Sequence, residues 1–383
     1  MKKIFIINYE FPPLGGGAGT ASYYTAKAFF KKGYDVTVIT SHFKGLSFFE
    51  TKDGIKIHRV PTLRRKKGTS NSFEMAIFVI STILCMKNIF AKCKPDKTIA
   101  FLSIPSGMVS IYIKLKYGVP YVVSLRGGDV PYFVPGKLKF VHFFILPLTK
   151  YVWRHAKSVS ANSENLKSLA NKISPEIDIK IIPNGIDSDI YFPRDDKNSK
   201  NNGVVALFVG RLNAQKGLDI LLKALDSIKT SLPDNFRIIF VGDGPEEGKL
   251  KNIATKLNID KFIEFTGWVD REELPDVYRK ANIFILPSRY EGMPNALAEA
   301  IATGLPVITT DIPGCTTLVK DGENGFIIPF DKNGDPELNK LINCIISLIN
   351  DYGLRQRMGL RSREIAKQFT WDITAERFIK SFS

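Results

Sequence analysis

The chain has 383 residues, 44% hydrophobic and 24% charged. That length exceeds what one compact core holds, so two domains of roughly 150–200 residues are expected, and the composition excludes a disordered chain. The four cysteines, Cys85, Cys93, Cys315 and Cys344, form no CxxC or CxxH pair, which argues against a zinc site or a disulfide framework and for a reducing, cytosolic compartment.

The formal net charge of +16 is unevenly placed. Residues 1–190 hold 28 Lys and Arg against 12 Asp and Glu, a net of +16, while the remainder holds 26 of each. An anionic partner facing the N-terminal half is expected, either nucleic acid or an acidic membrane surface.

In chain order, Lys2 and Lys3 precede the apolar run 4–7, which Asn8 and Glu10 end. This is too short for a secretory h-region of about 7–15 residues and reads as a buried strand over 4–8. The loop Pro12-Pro13-Leu14-Gly15-Gly16-Gly17 follows, then a helix over 20–32 stopped by Gly33, and a strand over 36–40. Strand, glycine loop, helix and strand make a βαβ unit, whose ligand edge lies at the C-terminal ends of its parallel strands. The loop's backbone N–H groups and the helix dipole favour an anion, although three glycines serve a plain tight turn equally well. Gly15-x-Gly17-x-x-Thr20 lacks the third glycine of a dinucleotide fingerprint. No acidic residue follows the second strand, where Thr40-Ser41-His42 stands, so an NAD-type oxidoreductase is disfavoured.

Arg64-Arg65-Lys66-Lys67 precedes an uncharged stretch over 75–86, short of the ~20 residues a membrane-spanning helix needs. Further on, Phe140, Phe143, Phe144, Leu148 and Tyr151 recur at helical spacing beside Lys137, Lys139, Lys150, Arg154 and Lys157, with Pro147 as a kink. This pattern fits a membrane-interface helix, and equally a core-facing helix with a solvated basic face. A polar stretch over 194–203 separates two patterned regions and places the boundary between domains 1–193 and 203–370.

The second region repeats the alternation. Strands are expected over 204–210, 238–241, 263–265, 283–286 and 307–310, with helices over 218–228, 246–257, 272–279 and 296–302. An amphipathic helix over 371–382 closes the chain, with Asp372 as a candidate N-cap.

Two loops of this region carry charge where a strand passes into a helix. In Gly210-Arg211-Leu212-Asn213-Ala214-Gln215-Lys216-Gly217, two cations five residues apart suit a diphosphate clamp, Arg as a fork and Lys as a point charge. In isolation the same loop fits a solvated turn, and its spacing is not that of a Walker A loop. In the segment from Pro287 to Ala300, Glu291 lies in the loop and Glu299 about one turn into the helix. Carboxylates accept hydrogen bonds from the vicinal hydroxyls of a sugar or ribose. The N–H groups from Met293 to Leu297, Pro294 excepted, point at whatever sits before the helix. Singly, each glutamate also fits an ordinary surface charge.

Taken in register, the Gly15–Gly17 loop, Asn184-Gly185-Ile186-Asp187, Gly210-Arg211-x4-Lys216-Gly217, Gly242-Asp243-Gly244-Pro245 and Glu291-x7-Glu299 resemble the family 4 retaining glycosyltransferases. The resemblance runs over essentially the whole chain, including the Trp371 helix. It implies an α/β chain with the GT-B fold, two Rossmann-like doubly wound domains facing across a cleft, and a C-terminal helix 371–383 crossing back to the N-terminal domain. It implies a nucleotide-diphosphate sugar as donor, with Arg211, Lys216 and Glu291 as the catalytic residues. Arg211 and Lys216 would hold the diphosphate beside Gly210, with the backbone of Gly16 and Gly17 closing on it. Glu299 would bind ribose and Glu291 the transferred sugar. Gly292-Met293-Pro294-Asn295-Ala296-Leu297 would line the donor, the N–H groups of Met293, Asn295 and Ala296 touching sugar or phosphate. The base would lie against Gly267-Trp268-Val269.

The family often carries a histidine where this chain has Arg126, in Ser124-Leu125-Arg126-Gly127-Gly128-Asp129. Arg126 therefore meets the donor phosphate or an anionic acceptor, oriented by Asp129, or the two form a buried ion pair with no catalytic part. Asp187-Ser188-Asp189 has a metal-binding look but sits just after the Asn-Gly turn, and it is rejected as a metal site. Neither metal nor cofactor is expected. The resemblance implies retention by same-face attack of the acceptor hydroxyl. The basic half would then receive a saccharide or lipid-linked saccharide at the anionic inner face of the plasma membrane, in cell-surface polysaccharide or glycolipid synthesis. The Glu-Gly-Met-Pro-Asn sequence favours a UDP-sugar over GDP-mannose. A sugar-nucleotide epimerase on the same fold is the alternative. A nucleic-acid-binding protein using the basic half is a remote one, since no nucleic-acid motif is recognisable.

Overall fold

Short apolar strands alternating with helices bury both faces of a sheet, and in the computed structural model they build two parallel sheets. The structure describes residues 1–68, 70–131, 133, 139–194 and 203–383, without the side chains of 139–144. Contacts divide the chain into Met1–Gly185 with Trp371–Ser383, and Ile186–Thr370. The division falls at Gly185 and not in the polar stretch 194–203, because Ile186 and Tyr191 are buried in the core of the second unit. Residues 195–202 of that stretch lie outside the described residues.

The first unit begins β1 (Lys3–Ile7), α1 (Gly17–Lys31), β2 (Asp35–Ser41), β3 (Phe49–Lys52), β4 (Ile55–Val60) and α2 (Ser72–Cys93). It continues β5 (Lys97–Phe101), α3 (Ser106–Tyr117), β6 (Tyr121–Leu125), α4 (Lys139–His155), β7 (Ser158–Ala161), α5 (Glu164–Ile173) and β8 (Ile179–Ile181). The sheet order is β3-β4-β2-β1-β5-β6-β7-β8, parallel except for the β3–β4 hairpin. Side chains alternate across β1: Ile4 and Ile6 join the cluster with Ala21, Phe29 and Phe378, and Phe5 and Ile7 join the one with Phe78, Met86 and Val109.

The second unit runs β9 (Val205–Val209), α6 (Leu218–Ile228), β10 (Arg237–Val241), α7 (Glu247–Lys256), β11 (Ile263–Gly267), α8 (Leu274–Lys280) and β12 (Ile283–Leu286). It ends α9 (Asn295–Ala302), β13 (Val307–Thr310), α10 (Pro313–Thr316), β14 (Gly325–Ile328), α11 (Leu338–Asn350) and α12 (Tyr352–Ala366). The order β11-β10-β9-β12-β13-β14 reverses direction between β9 and β12. Loops leaving the C-terminal ends of those two strands diverge and leave a crevice, the usual ligand position in such sheets.

The last helix, α13 (Trp371–Lys380), belongs to the first unit. Trp371 stacks on Tyr24 with ring centroids 5.3 Å apart, and Phe378 is fully buried beside Phe101. Asp372 lies inside the first turn and is not the cap, though its charge there still complements the helix dipole.

One expectation about the basic half needs correction. The helix around 75–86 is much longer: α2 has 22 residues and is long and apolar enough to cross a membrane, by length and composition. A count of uncharged residues stops at Glu74 and Lys87, but the helix runs through both, and Glu74 closes a capping box with Asn71. One face of α2 packs on the sheet through Phe78, Thr82 and Met86, while Phe73, Ile80 and Leu84 are 65%, 59% and 76% exposed. Within the basic run 64–67, Arg64 is not exposed. It is buried, with its guanidinium donating to the carbonyls of Tyr9, Lys66 and Lys67. The helix α4 is continuous through Pro147, the position of the expected kink. Lys137 and the side chains of Lys139, Phe140, Phe143 and Phe144 lie outside the described residues.

Candidate active site

The loops after β9 and β12 meet at the switch point of the second unit. Gly217 adopts φ +64°, and a Cβ there would sit 2.0 Å from the carbonyl oxygen of Pro287. Only glycine allows this approach without strain. The backbone N–H of Arg289 donates to the Gln215 carbonyl at 2.7 Å, and Gln215 Nε2 to the Tyr290 carbonyl at 2.8 Å. Arg289 forks onto Asp219 with both bonds at 2.9 Å and reaches Asp335 Oδ1 at 2.6 Å. Burial would raise the Asp219 carboxyl, but the hydrogen bonds and charge of Arg289 outweigh it and hold the group below its usual value.

This frame brings Lys216 and Glu291 together. Lys216 Nζ lies 2.5 Å from Glu291 Oε1, which also accepts from Ser288 Oγ at 2.7 Å. Glu291 is 6% exposed, so its charge depends on these two partners. The Arg211 side chain is exposed, and its guanidinium has no hydrogen bond or ion pair among the described residues, while its carbonyl accepts from the Asn213 N–H at 2.9 Å. A third loop buttresses the second: a Cβ on Gly314 would fall 1.4 Å from the carbonyl oxygen of Gly292, so the α10 turn lies directly against Gly292-Met293. Burial, then the nearby Glu291 charge, pushes the adjoining Cys315 thiol up to about 12.

Gly292, Met293, Pro294 and Leu297 are buried, while Asn295 and Ala296 are half-buried at the start of α9. Pro294 stands at the N-cap and makes no side-chain cap, so the helix opens on backbone donors. Glu299 accepts from the Tyr278 hydroxyl at 2.9 Å and lies 3.8 Å from Arg271. Burial raises its carboxyl, with Arg271 and Tyr278 pulling the other way. Trp268, after β11, is 64% exposed and donates to Asp270 Oδ1 at 3.3 Å. The loops between are tied by Gly242 N–H to the Gly267 carbonyl at 2.8 Å, and by Leu212 N–H to the Asp243 carbonyl at 2.8 Å. A continuous rim therefore runs from Trp268 and Val269 past Gly210 to Glu291.

In the first unit, Gly17 opens α1 with Gly16 at the N-cap. The Gly16 N–H donates to the Glu10 carboxylate at 3.3 Å, so an acidic side chain of the chain itself stands where an anion was expected. Arg126 and Asp129 do not pair as an isolated ion pair. Asp129 Oδ1 accepts from the backbone N–H groups of Arg126 and Gly127, and its Oδ2 from the backbone and hydroxyl of Ser103. The Arg126 guanidinium donates instead to Asn184 Oδ1 and lies 4.3 Å above the Phe101 ring. Asp187 Oδ1 accepts from the Asp189 N–H, an ordinary local turn. Among the described residues no group of three His, Cys, Asp or Glu is placed to hold a metal. Glu10, Ser288, Arg289, Asp219, Tyr278 and Asn184 were given no site role of their own in the sequence reading. Their partners lie too far along the chain for spacing to reveal, except Ser288 and Glu10.

Two family profiles cover this architecture: Glycosyltransferase Family 4 matches residues 15–190, and Glycosyl transferases group 1 matches residues 190–365. The chain belongs to the family 4, group 1 glycosyltransferases. This glycosyltransferase is similar to an uncharacterized glycosyltransferase of Methanocaldococcus jannaschii, 29% identical over 82% of this chain and 81% of that one. It is similar to the UDP-Gal:alpha-D-GlcNAc-diphosphoundecaprenol alpha-1,3-galactosyltransferase of Escherichia coli, 27% identical over 91% of this chain and 89% of that one. Sucrose-phosphate synthase from Thermosynechococcus elongatus shares the fold with a TM-score of 0.85 at 20% identity, covering 99% and 98% of the two chains. The glycosyltransferase thus has the GT-B fold that its motifs implied, two Rossmann-like units with the C-terminal helix returned to the first.

Proposed function

We propose that this glycosyltransferase moves a sugar from a UDP-sugar to a saccharide or lipid-linked saccharide, with retention of configuration and without a metal. The observation that carries the reading is the Lys216–Glu291 contact at the switch point of the second unit, beside the uncapped start of α9. A departing diphosphate needs positive charge already in place. Arg211, Lys216 and the N–H groups opening α9 supply it, and Lys216 is oriented by its bond to Glu291. Glu291 accepts from hydroxyls of the transferred sugar, Glu299 from the ribose, and the base lies along Gly267-Trp268-Val269. The UDP preference is supported by the donor named for the Escherichia coli relative, and the lipid-linked acceptor by the same name. Incubation with UDP-sugars and GDP-mannose, with and without a lipid-linked acceptor, tests this. Acceptor-dependent UDP release with an axial product anomer from an axial donor is expected. Acceptor-independent turnover would make it an epimerase, and inversion of the anomer would overturn the retaining reading.

We also infer peripheral attachment to an anionic inner leaflet, in cell-surface polysaccharide or glycolipid synthesis. The first unit holds 30 Lys and Arg against 12 Asp and Glu. The face of α2 bearing Phe73, Ile80 and Leu84 is framed by exposed Arg65, Lys66 and Lys67 at one end and Lys87 and Lys92 at the other. An apolar stripe between lysines and arginines suits the headgroup boundary of an acidic bilayer. Flotation with anionic and with neutral liposomes checks it, alongside an Ile80→Glu, Leu84→Glu variant that is expected to stay in the bulk. Binding indifferent to lipid charge and to salt would contradict the inference.

A further inference from the structure

Arg126 is held as a receptor is held, and most of its guanidinium is unused. Its backbone and that of Gly127 are fixed by Asp129 Oδ1, and Asp129 Oδ2 is fixed by Ser103. Ser103 Oγ in turn accepts from the indole of the fully buried Trp153 at 2.8 Å. The guanidinium lies over Phe101 and gives one nitrogen, Nη1, to Asn184. Its Nε and Nη2 are shut off from water and have no partner among the described residues. The residue as a whole is only half-buried.

A desolvated charge with unmade hydrogen bonds is costly, and proteins retain such groups where a ligand completes them. The unused Nε–Nη2 edge is the one whose two parallel N–H bonds fork onto a carboxylate or phosphate. The β6–β7 register pairs Leu125 with Ala161, so Asn162 and Arg126 leave neighbouring strands at the same level, at the ligand edge of the sheet. Asn162 is 4% exposed, and its Oδ1 also lacks a partner among the described residues. A two-toothed donor edge with an unused acceptor at the end of the next strand matches an anionic group with a hydroxyl within the same sugar.

We propose that Arg126 and Asn162 form a subsite in the first unit for a sugar bearing a carboxylate or phosphate, Arg126 taking the anion and Asn162 a neighbouring hydroxyl. The subsite rests on the glycosyl-transfer reading for the substrate's being a sugar, but not for the anion. Binding of D-glucuronate, D-glucose 6-phosphate and D-glucose to the full chain by ligand-observed NMR tests it. At least one anion is expected to bind about 10–100-fold tighter than glucose, the range of a bidentate charged contact. Arg126→Gln is expected to erase that preference and Arg126→Lys to keep part of it. Repeating the titration with saturating UDP, and comparing UDP-glucuronate with UDP-glucose, assigns the anion to the acceptor or to the donor sugar. Arg126→Gln is further expected to melt no lower than the native chain, because it removes a buried charge with unmade bonds. Equal affinity for all three probes, a preference that survives Arg126→Gln, or a lowered melting temperature with the preference intact would each overturn the proposal. Since binding is read without turnover, its failure leaves the transfer reading standing, and failure of transfer leaves this one standing.

Discussion

Replacing Lys216 with Met should destabilise the second unit as well as impair catalysis. Glu291 and Lys216 have side chains 8% and 14% exposed, at 2.5 Å. Removing the ammonium leaves the Glu291 carboxylate with the Ser288 hydroxyl alone, at 2.7 Å. Breaking a buried pair on one side costs about 3–5 kcal/mol, and the residual exposure of Lys216 puts this pair near the lower end. For a unit of this size, about 3 kcal/mol corresponds to a fall of about 6–12 °C in melting temperature. Adding Glu291→Gln removes the orphaned charge and keeps the bond to Ser288, so the double variant should regain at least about 1 kcal/mol over Lys216→Met. Differential scanning calorimetry of the two single variants and the double one supplies the cycle. A Lys216→Met chain melting within about 2 °C of native, or a double variant no more stable than Lys216→Met, would refute the reasoning.

Gly314→Ala should abolish UDP binding while leaving most helicity, because its Cβ would strike the Gly292 carbonyl and displace the loop carrying Glu291; titration calorimetry with circular dichroism checks this. The pH dependence of UDP affinity should follow Glu299, whose carboxyl burial raises above the ordinary 4.5. Ribose hydroxyls bind the ionised form, so affinity should be full at high pH and fall as pH drops through that raised value, with Glu299→Gln flattening this limb. Trp371→Ala should cost the first unit about 3–5 kcal/mol by calorimetry, since a buried indole stacked on Tyr24 is lost. Turnover should withstand millimolar EDTA, and a loss restored by Mg²⁺ or Mn²⁺ would end the metal-independent reading.

The second unit was the more legible in sequence. Helix 218–228 and strands 283–286 and 307–310 agree with the structure to the residue, because apolar runs there are bounded by Gly, Pro and polar residues that stop them sharply. The β3–β4 hairpin was passed over although Asp53-Gly54 announces it; both residues adopt positive φ, as a two-residue hairpin turn requires. The extent of α2 was hidden because Glu74 and Lys87 interrupt an uncharged count without interrupting a helix. At the site, spacing and resemblance named Lys216 and Glu291 separately. That they bond to each other across 75 residues is a consequence of β9 and β12 being neighbours, an order that no local pattern encodes. Arg289, given no role in the sequence reading, pins that loop to Asp219 and Asp335 for the same reason.

If the β9 loop of the second unit grips a nucleotide diphosphate, titration with UDP and with uridine must separate the two ligands. The Arg211 side chain is exposed and its guanidinium bonds to no described residue, so Arg211→Ala leaves folding intact and isolates the ligand contact. UDP is expected to bind at least about 10-fold tighter than uridine, and Arg211→Ala to lose much of that difference. UDP and uridine binding alike, or a UDP affinity unchanged in Arg211→Ala, would contradict it.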